Sequence, residues 1–154
     1  MSIKIKEELK EWTINFLKNK NAILQTLQKI EEEKEGYDLK IIYDDKETYV
    51  LIKPFIDNFE ELEEKIDQNK NITLVLLNSK KNLDILIDKW EYFAGFDKLT
   101  IYFVNMFSIS DKKWVIRPYL HNKISEASAL KPGLKSMFNT VDSITEKEAE
   151  SKTL

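Results

Sequence analysis

At 154 residues, 42% apolar and 33% charged, the chain has the composition of one folded domain with a proper core, and no apolar run nears the roughly 20 residues that cross a bilayer. It has no cysteine, which excludes disulfides, thiolate zinc sites and iron–sulfur ligation, and its net charge of −3 excludes a general polyanion binder. The opening MSIKIKEELKEW lacks the apolar centre of a signal peptide, so a cytoplasmic location is expected.

Residues 3–35 read as helix, because Leu9, Trp12, Phe16, Ile23, Leu27 and Ile30 recur at three- and four-residue spacing. The run KNKN at 18–21 could divide it, with Asn21 as a second N-cap, and Gly36 ends it. YDLKIIYDDKETYVLIKPF, residues 37–55, changes period and predicts a hairpin around the polar turn Asp44–Glu47, closed by Pro54. Asp57 with Glu60 suits a capping box, followed by a short amphipathic helix carrying Phe59, Leu62 and Ile66.

NITLVLLN at 71–78 is a continuous apolar run and predicts a strand buried on both faces. Leu83, Leu86, Ile87, Trp90, Phe93 and Ala94 trace a helical stripe ended by Gly95, and KLTIYFVNM at 98–106 is a second doubly apolar strand. WVIRPYLH follows as an expected edge strand, because Pro118 removes a ladder donor. Ala127, Leu130, Leu134, Met137, Phe138 and Val141 form the last stripe, interrupted by Pro132-Gly133, which predicts a helical turn and then a helix from about residue 132. After Ile144 the segment TEKEAESKTL has no apolar periodicity, so residues 145–154 are expected to be a flexible tail beyond a single domain at 1–144. The order α-β-β-α-β-α-β-β-α implies an α/β fold: a mixed sheet of about five strands flanked by helices.

Charge is unevenly placed along this order. Residues 1–96 carry 15 Lys against 20 acids, a net of −5, and residues 97–135 carry six Lys and Arg117 against three acids, a net of +4. The basic segment holds the only arginine and the only histidine of the chain, in KKWVIRPYLHNK. On a strand, alternate residues share a face, so Arg117, Tyr119 and His121 would stand in a row with Val115, opposite an apolar face of Trp114, Ile116, Pro118 and Leu120. A guanidinium, a phenol and an imidazole in that row, flanked by Lys112, Lys113, Lys123, Lys131 and Lys135, suit a phosphate and a stacked base. Pairing of Arg117 with a surface acid is the plainer alternative.

Among chemical motifs, glycine-rich phosphate loops, a nucleophile elbow and a histidine metal cluster are missing. GYDLKIIYDDKETYVLIKP resembles the core hairpin of the restriction-endonuclease-like superfamily, the PD-(D/E)XK nucleases, and the resemblance extends over roughly residues 5–106. It implies a first metal-binding acid at Asp38 and a water-positioning lysine at Lys53, with Leu51 where the family carries its second acid. Replacing that carboxylate by Leu removes a charge and two oxygen ligands that Mg²⁺ needs, unless Asp45 or Glu47 substitutes from the turn.

These readings lead to a non-catalytic accessory protein of nucleic-acid metabolism. It would contact DNA, RNA or a nucleotide through residues 112–135 on a degenerate nuclease-like fold, with no cofactor and no membrane association. A protein-interaction or assembly subunit without nucleic-acid contact is the first alternative. An active Mg²⁺-dependent nuclease using Asp38 and Lys53 is the second.

Overall fold

A computed structural model describes residues 3–153. A long helix α1 (Ile3–Leu24) leads into three antiparallel strands, β1 (Leu27–Lys34), β2 (Tyr37–Tyr43) and β3 (Glu47–Ile52). Helix α2 (Phe59–Glu63) then carries the chain to β4 (Asn71–Leu77), and α3 (Lys80–Asp88) with α4 (Trp90–Ala94) carries it to β5 (Leu99–Val104). Strand β6 (Lys113–Ile116) returns antiparallel along β5, followed by α5 (Pro118–Ile124), α6 (Ala127–Phe138) and α7 (Glu146–Lys152). The six strands lie in sequence order, with β3, β4 and β5 mutually parallel. Among the described residues no helix is long and apolar enough to cross a membrane.

The architecture is the expected α/β one, with six strands where about five were anticipated. The extra strand is β1, read from sequence as the end of a helix. Helix α1 stops at Leu24 because Gln25 takes a φ of 53°. Glu35 and Gly36, with φ of 55° and 84°, then form the two-residue turn into β2, so Gly36 closes a hairpin and not a helix. Positive φ at both central residues matches the right-handed twist of the flanking strands, and glycine supplies it without a Cβ penalty.

Successive strand residues face opposite sides, so the sheet has two cores. One, around Leu51, Leu74, Ile101, Phe103 and Trp114, is covered by α2, α3, α4 and α6. Both parallel crossovers step the same way across the sheet, and right-handed connections place their helices on this one side. Phe103 and Trp114, cross-strand neighbours, stack at 4.3 Å between ring centroids. The other core, around Leu39, Val50, Ile52, Val75, Leu77 and Val104, is covered by Ile5 and Leu9 of α1 and by Ile144 and Ala149.

Several boundaries differ from expectation. The short helix α2 is capped by Asn58, whose side chain accepts from the Glu61 N–H, and not by an Asp57–Glu60 box. The strand β6 ends at Ile116, and Pro118 opens α5 at N1, where its missing N–H costs nothing. Helix α6 starts at Ala127 and runs through Pro132, five residues before the expected start. Residues 145–152, anticipated as flexible tail, form the capped helix α7, with the Thr145 hydroxyl accepting from the Glu148 N–H and the Glu148 carboxylate accepting in return. Ala149 within it is fully buried, so this helix belongs to the core that α1 covers.

Candidate functional site

In open α/β sheets, ligands bind beyond the carboxyl ends of the parallel strands. That end is filled here. Asn78, directly after β4 and fully buried, lies with its amide nitrogen 2.9, 3.2 and 3.4 Å from the carbonyls of Val141, Phe138 and Asp142. Its carbonyl accepts from the Trp114 indole N–H at 2.8 Å. After β5, the Asn105 side chain donates to the Asp142 carbonyl at 2.9 Å, and the Ser108 hydroxyl donates to the Asp142 carboxylate at 3.3 Å. On the β3 side, Asn82 accepts from the Ile56 N–H and donates to the carbonyls of Pro54 and Leu77. These buried amides satisfy main-chain groups where the sheet ladder stops.

The amino end of the same strands is open, and the reason is written along each strand. On the face toward α1, β3 passes from Ile52 through Val50 to Thr48, β4 from Leu77 through Val75 to Thr73, and β5 from Val104 through Tyr102 to Thr100. Two of the three lose volume steadily, β3 and β5 end on a threonine and β4 passes through Thr73 to Asn71, while α1 continues above them. The result is a cleft of about 370 Å³ between the second half of α1 and the sheet, at the small end of the range for ligand sites. Thr13 of α1 stands at its deep end with its hydroxyl turned back to the Leu9 carbonyl at 2.8 Å.

The cleft's floor is a row of hydroxyls ending in a cation. Thr73 pairs with Thr100, and because Ile101 pairs with Ile116, Thr100 and Arg117 stand next along β5 and β6. Neighbouring strands lie about 5 Å apart, so the three side chains form one short line across the sheet. None of the Thr48, Thr73 and Thr100 hydroxyls has a hydrogen-bond partner among the described residues. Lys98 joins at the start of β5, and Lys20 and Lys46 stand at the rim. Four cations thus line the cleft, and among the described residues no carboxylate lines it with them.

Some lysines outside the cleft are neutralised: Lys6 by Asp38 at 2.8 Å, Lys10 by Glu32 and Glu33, Lys40 by Glu35, and Lys81 by Asp57. Among the described residues Lys20 and Lys98 make no ion pair, Lys46 lies over the Tyr43 ring, and Arg117 donates only to the Asp97 carbonyl at 2.9 Å. Two like charges 10 Å apart repel by about 0.4 kcal/mol in water and about 2 kcal/mol at an effective dielectric of 20. An anion in the cleft relieves that repulsion and meets free donors. Aromatic walls complete it: Tyr43, Tyr102 and Phe16, the last set edge-on to Tyr102 at 5.9 Å. Burial pushes the Tyr102 phenol above its ordinary value, and burial followed by the nearby Tyr102 does the same for Tyr43, so both are hydrogen-bond donors at neutral pH.

Only one of the residues anticipated from the basic segment lies in the cleft. Arg117 shares the α1-side face with Val115, as alternation predicts. Past Pro118 the strand reading fails. Tyr119, His121 and Lys123 are helical, with Lys123 over the Tyr119 ring and the His121 ring edge-on to Trp90 at 5.6 Å. Lys113 lies over Phe16 on α1, Lys112 donates to the Met106 carbonyl, and Lys131 and Lys135 are on the exposed side of α6. The expected row of Arg117, Tyr119 and His121 on one strand face is therefore not formed.

Asp38 is buried, bonded to Lys6 and accepting from the Ile52 N–H at 2.8 Å, and Leu51 points into the opposite core. Lys53 follows β3 and donates its main-chain N–H to the Val75 carbonyl at 2.9 Å. Among the described residues no three His, Asp or Glu side chains gather as metal ligands. Asp45 and Glu47 are exposed at the β2–β3 turn.

The three threonines, Lys20, Lys46 and Lys98 were not anticipated as site residues. Their one signal in the sequence is that each threonine is a polar residue near the start of an apolar strand; that Thr73 falls beside Thr100, with Thr48 diagonal to them opposite Asn71, follows from register alone. No family model, curated protein or solved structure matches this chain.

Proposed function

We propose that this protein is a non-catalytic binding protein of nucleic-acid metabolism, which holds a phosphate-bearing nucleotide or nucleic acid in the cleft beneath α1. The observation that carries this reading is the set of Lys20, Lys46, Lys98 and Arg117 around three unpaired hydroxyls, with no lining carboxylate among the described residues of an acidic protein. Arg117 offers a planar fork suited to phosphate oxygens, and the lysines add charge without fixed geometry. The absence of catalysis rests on Asp38, whose carboxylate is already engaged by an ammonium and a main-chain N–H, and on Leu51 where the nuclease-like hairpin would need a second acid.

The test is binding of labelled DNA, single- and double-stranded, and of a labelled nucleotide at 50 and 200 mM salt. Affinity is expected at low salt, weakened at high salt, and reduced at least tenfold by Lys98→Ala combined with Arg117→Ala. No affinity at low salt, or affinity that ignores both substitutions, overturns the proposal.

A protein-partner reading is favoured by one observation: Leu120 and Ile124, one turn apart on α5, are both exposed. Light scattering of the parent and of Ile124→Asp decides it, since a monomer in both cases removes self-association as the purpose of that pair.

A further inference from the structure

The cleft's shape and chemistry say more about its occupant. We infer that the cleft takes one nucleotide and not a polymer, with its phosphate on Thr73, Thr100, Arg117 and Lys98 and its base toward Tyr102 and Tyr43. This rests on the reading of the cleft as a phosphate site given above.

The first argument is enclosure. Single-strand sites track a backbone over about 4–16 nucleotides along an open groove lined with stacking rings. This cleft holds about 370 Å³ and ends inward at Thr13, Val50 and Val75, all buried against the core. Its inner side is closed, unlike an open groove.

The second argument is polarity along its length. Thr73, Thr100 and Arg117 are side by side on β4, β5 and β6, and Lys98 is two residues before Thr100 on the same face. Two hydroxyl donors, a guanidinium and an ammonium on adjoining residues match the oxygens of a terminal phosphate. Two residues onward from Thr100, Tyr102 begins the aromatic part, where Phe16 and Tyr43 also lie. Anionic and aromatic recognition are thus one strand step apart, about 7 Å by strand rise, so a ligand must carry phosphate and ring close together.

The third argument is the mouth. Beyond Lys20 and Lys46 the cleft continues into a second hollow of about 250 Å³ that includes Leu24, Thr26 and Asp45. Asp45 places a carboxylate at this outer end, so a second phosphate is disfavoured there, whereas a base edge bearing N–H groups finds an acceptor.

Calorimetric titration of the whole chain with adenosine 5′-monophosphate, uridine 5′-monophosphate, adenosine, inorganic phosphate and a 12-nucleotide single strand tests this. A monophosphate is expected to bind one to one, at least tenfold tighter than adenosine or phosphate, and no weaker than the single strand. Thr100→Leu, which fills the floor with apolar volume, is expected to abolish binding while the thermal midpoint stays level or rises. Binding of the single strand without binding of either monophosphate overturns the single-nucleotide inference and leaves the phosphate-site reading standing. Phosphate alone binding as tightly as the monophosphates overturns the aromatic half of the inference. No binding of any probe overturns both, as does parental binding by a folded Thr100→Leu variant.

Discussion

The two ends of the sheet are made by the same strands, yet they treat polar groups in opposite ways. Where β4 and β5 finish, Asn78, Asn105 and Ser108 spend their hydrogen-bonding capacity on carbonyls and carboxylate of the 138–142 segment and on Trp114. Where they begin, Thr73 and Thr100 have no partner among the described residues, and Lys98 and Arg117 face them without a carboxylate. Side chains satisfied inside the protein stabilise it and are unavailable to a ligand. Side chains left unsatisfied contribute little to stability and are available. The difference between the two ends is therefore a division between structure and binding that can be broken from either side.

The largest effect is expected at the filled end. Asn78→Leu leaves the Trp114 indole N–H and the Val141 carbonyl unpaired in the core, at about 1–3 kcal/mol for each group left without a partner, so urea denaturation is expected to show a loss of about 3–5 kcal/mol. Ile144→Ala, at a buried residue whose N–H is held by the Asn78 carbonyl, follows with about 2–4 kcal/mol, and hydrogen exchange in α7 is expected to rise with it. At the open end stability is spared and binding is not. The double variant Thr73→Val and Thr100→Val removes hydroxyls that bond nothing in the protein, so its stability is expected within about 0.5 kcal/mol of the parent, while phosphate-ligand affinity falls tenfold or more. A loss of several kcal/mol in that variant would mean that the threonines belong to the structure and would erase the comparison.

The smallest effect is a pH dependence. The phenols of Tyr43 and Tyr102 in the cleft, and of Tyr92 on the opposite face, titrate above the unfolded value near 10, with Tyr92 pushed up to about 12 by burial and by the nearby Glu63. Above pH 10 the unfolded chain then holds fewer protons than the folded one, so stability is complete below pH 10 and declines as pH rises toward 12. Tyr92→Phe is expected to flatten the upper part of that decline in a pH series of thermal midpoints, and Tyr102→Phe to flatten it as well.

How far these features were legible in the residues depends on the distance over which they are specified. The apolar runs of β4 and β5 and the stripe from Leu83 to Ala94 are local and were readable directly. Strand β1 was hidden because LQKIEEEK continues the helical spacing through Leu27 and Ile30, and because the break at Gln25 involves no glycine or proline. Pro118 was ambiguous by nature: the same missing N–H ends a ladder and suits the first turn of a helix, and only the second applies. The segment TEKEAESKTL does carry a capping box, Thr145 with Glu148, but its one core residue is an alanine, too small a signal for periodicity to find. The cleft was least legible, since Thr73 and Thr100, with Arg117 beyond them, become neighbours only through register.

The Asn78 contacts also bear on the order of folding. They join β4 to carbonyls 60, 63 and 64 residues further along. During synthesis β4 and β5 therefore emerge with their ends uncapped, and the polar hub stays open until residues 138–142 and the helix after them have been made. Closing a loop of that length costs entropy before any bond rewards it, which favours a slow final step over early nucleation there. The meander of β1, β2 and β3, with its short turns, is complete after a third of the chain, so assembly is expected to run from that hairpin edge toward β6, with the last helix acting as the latch.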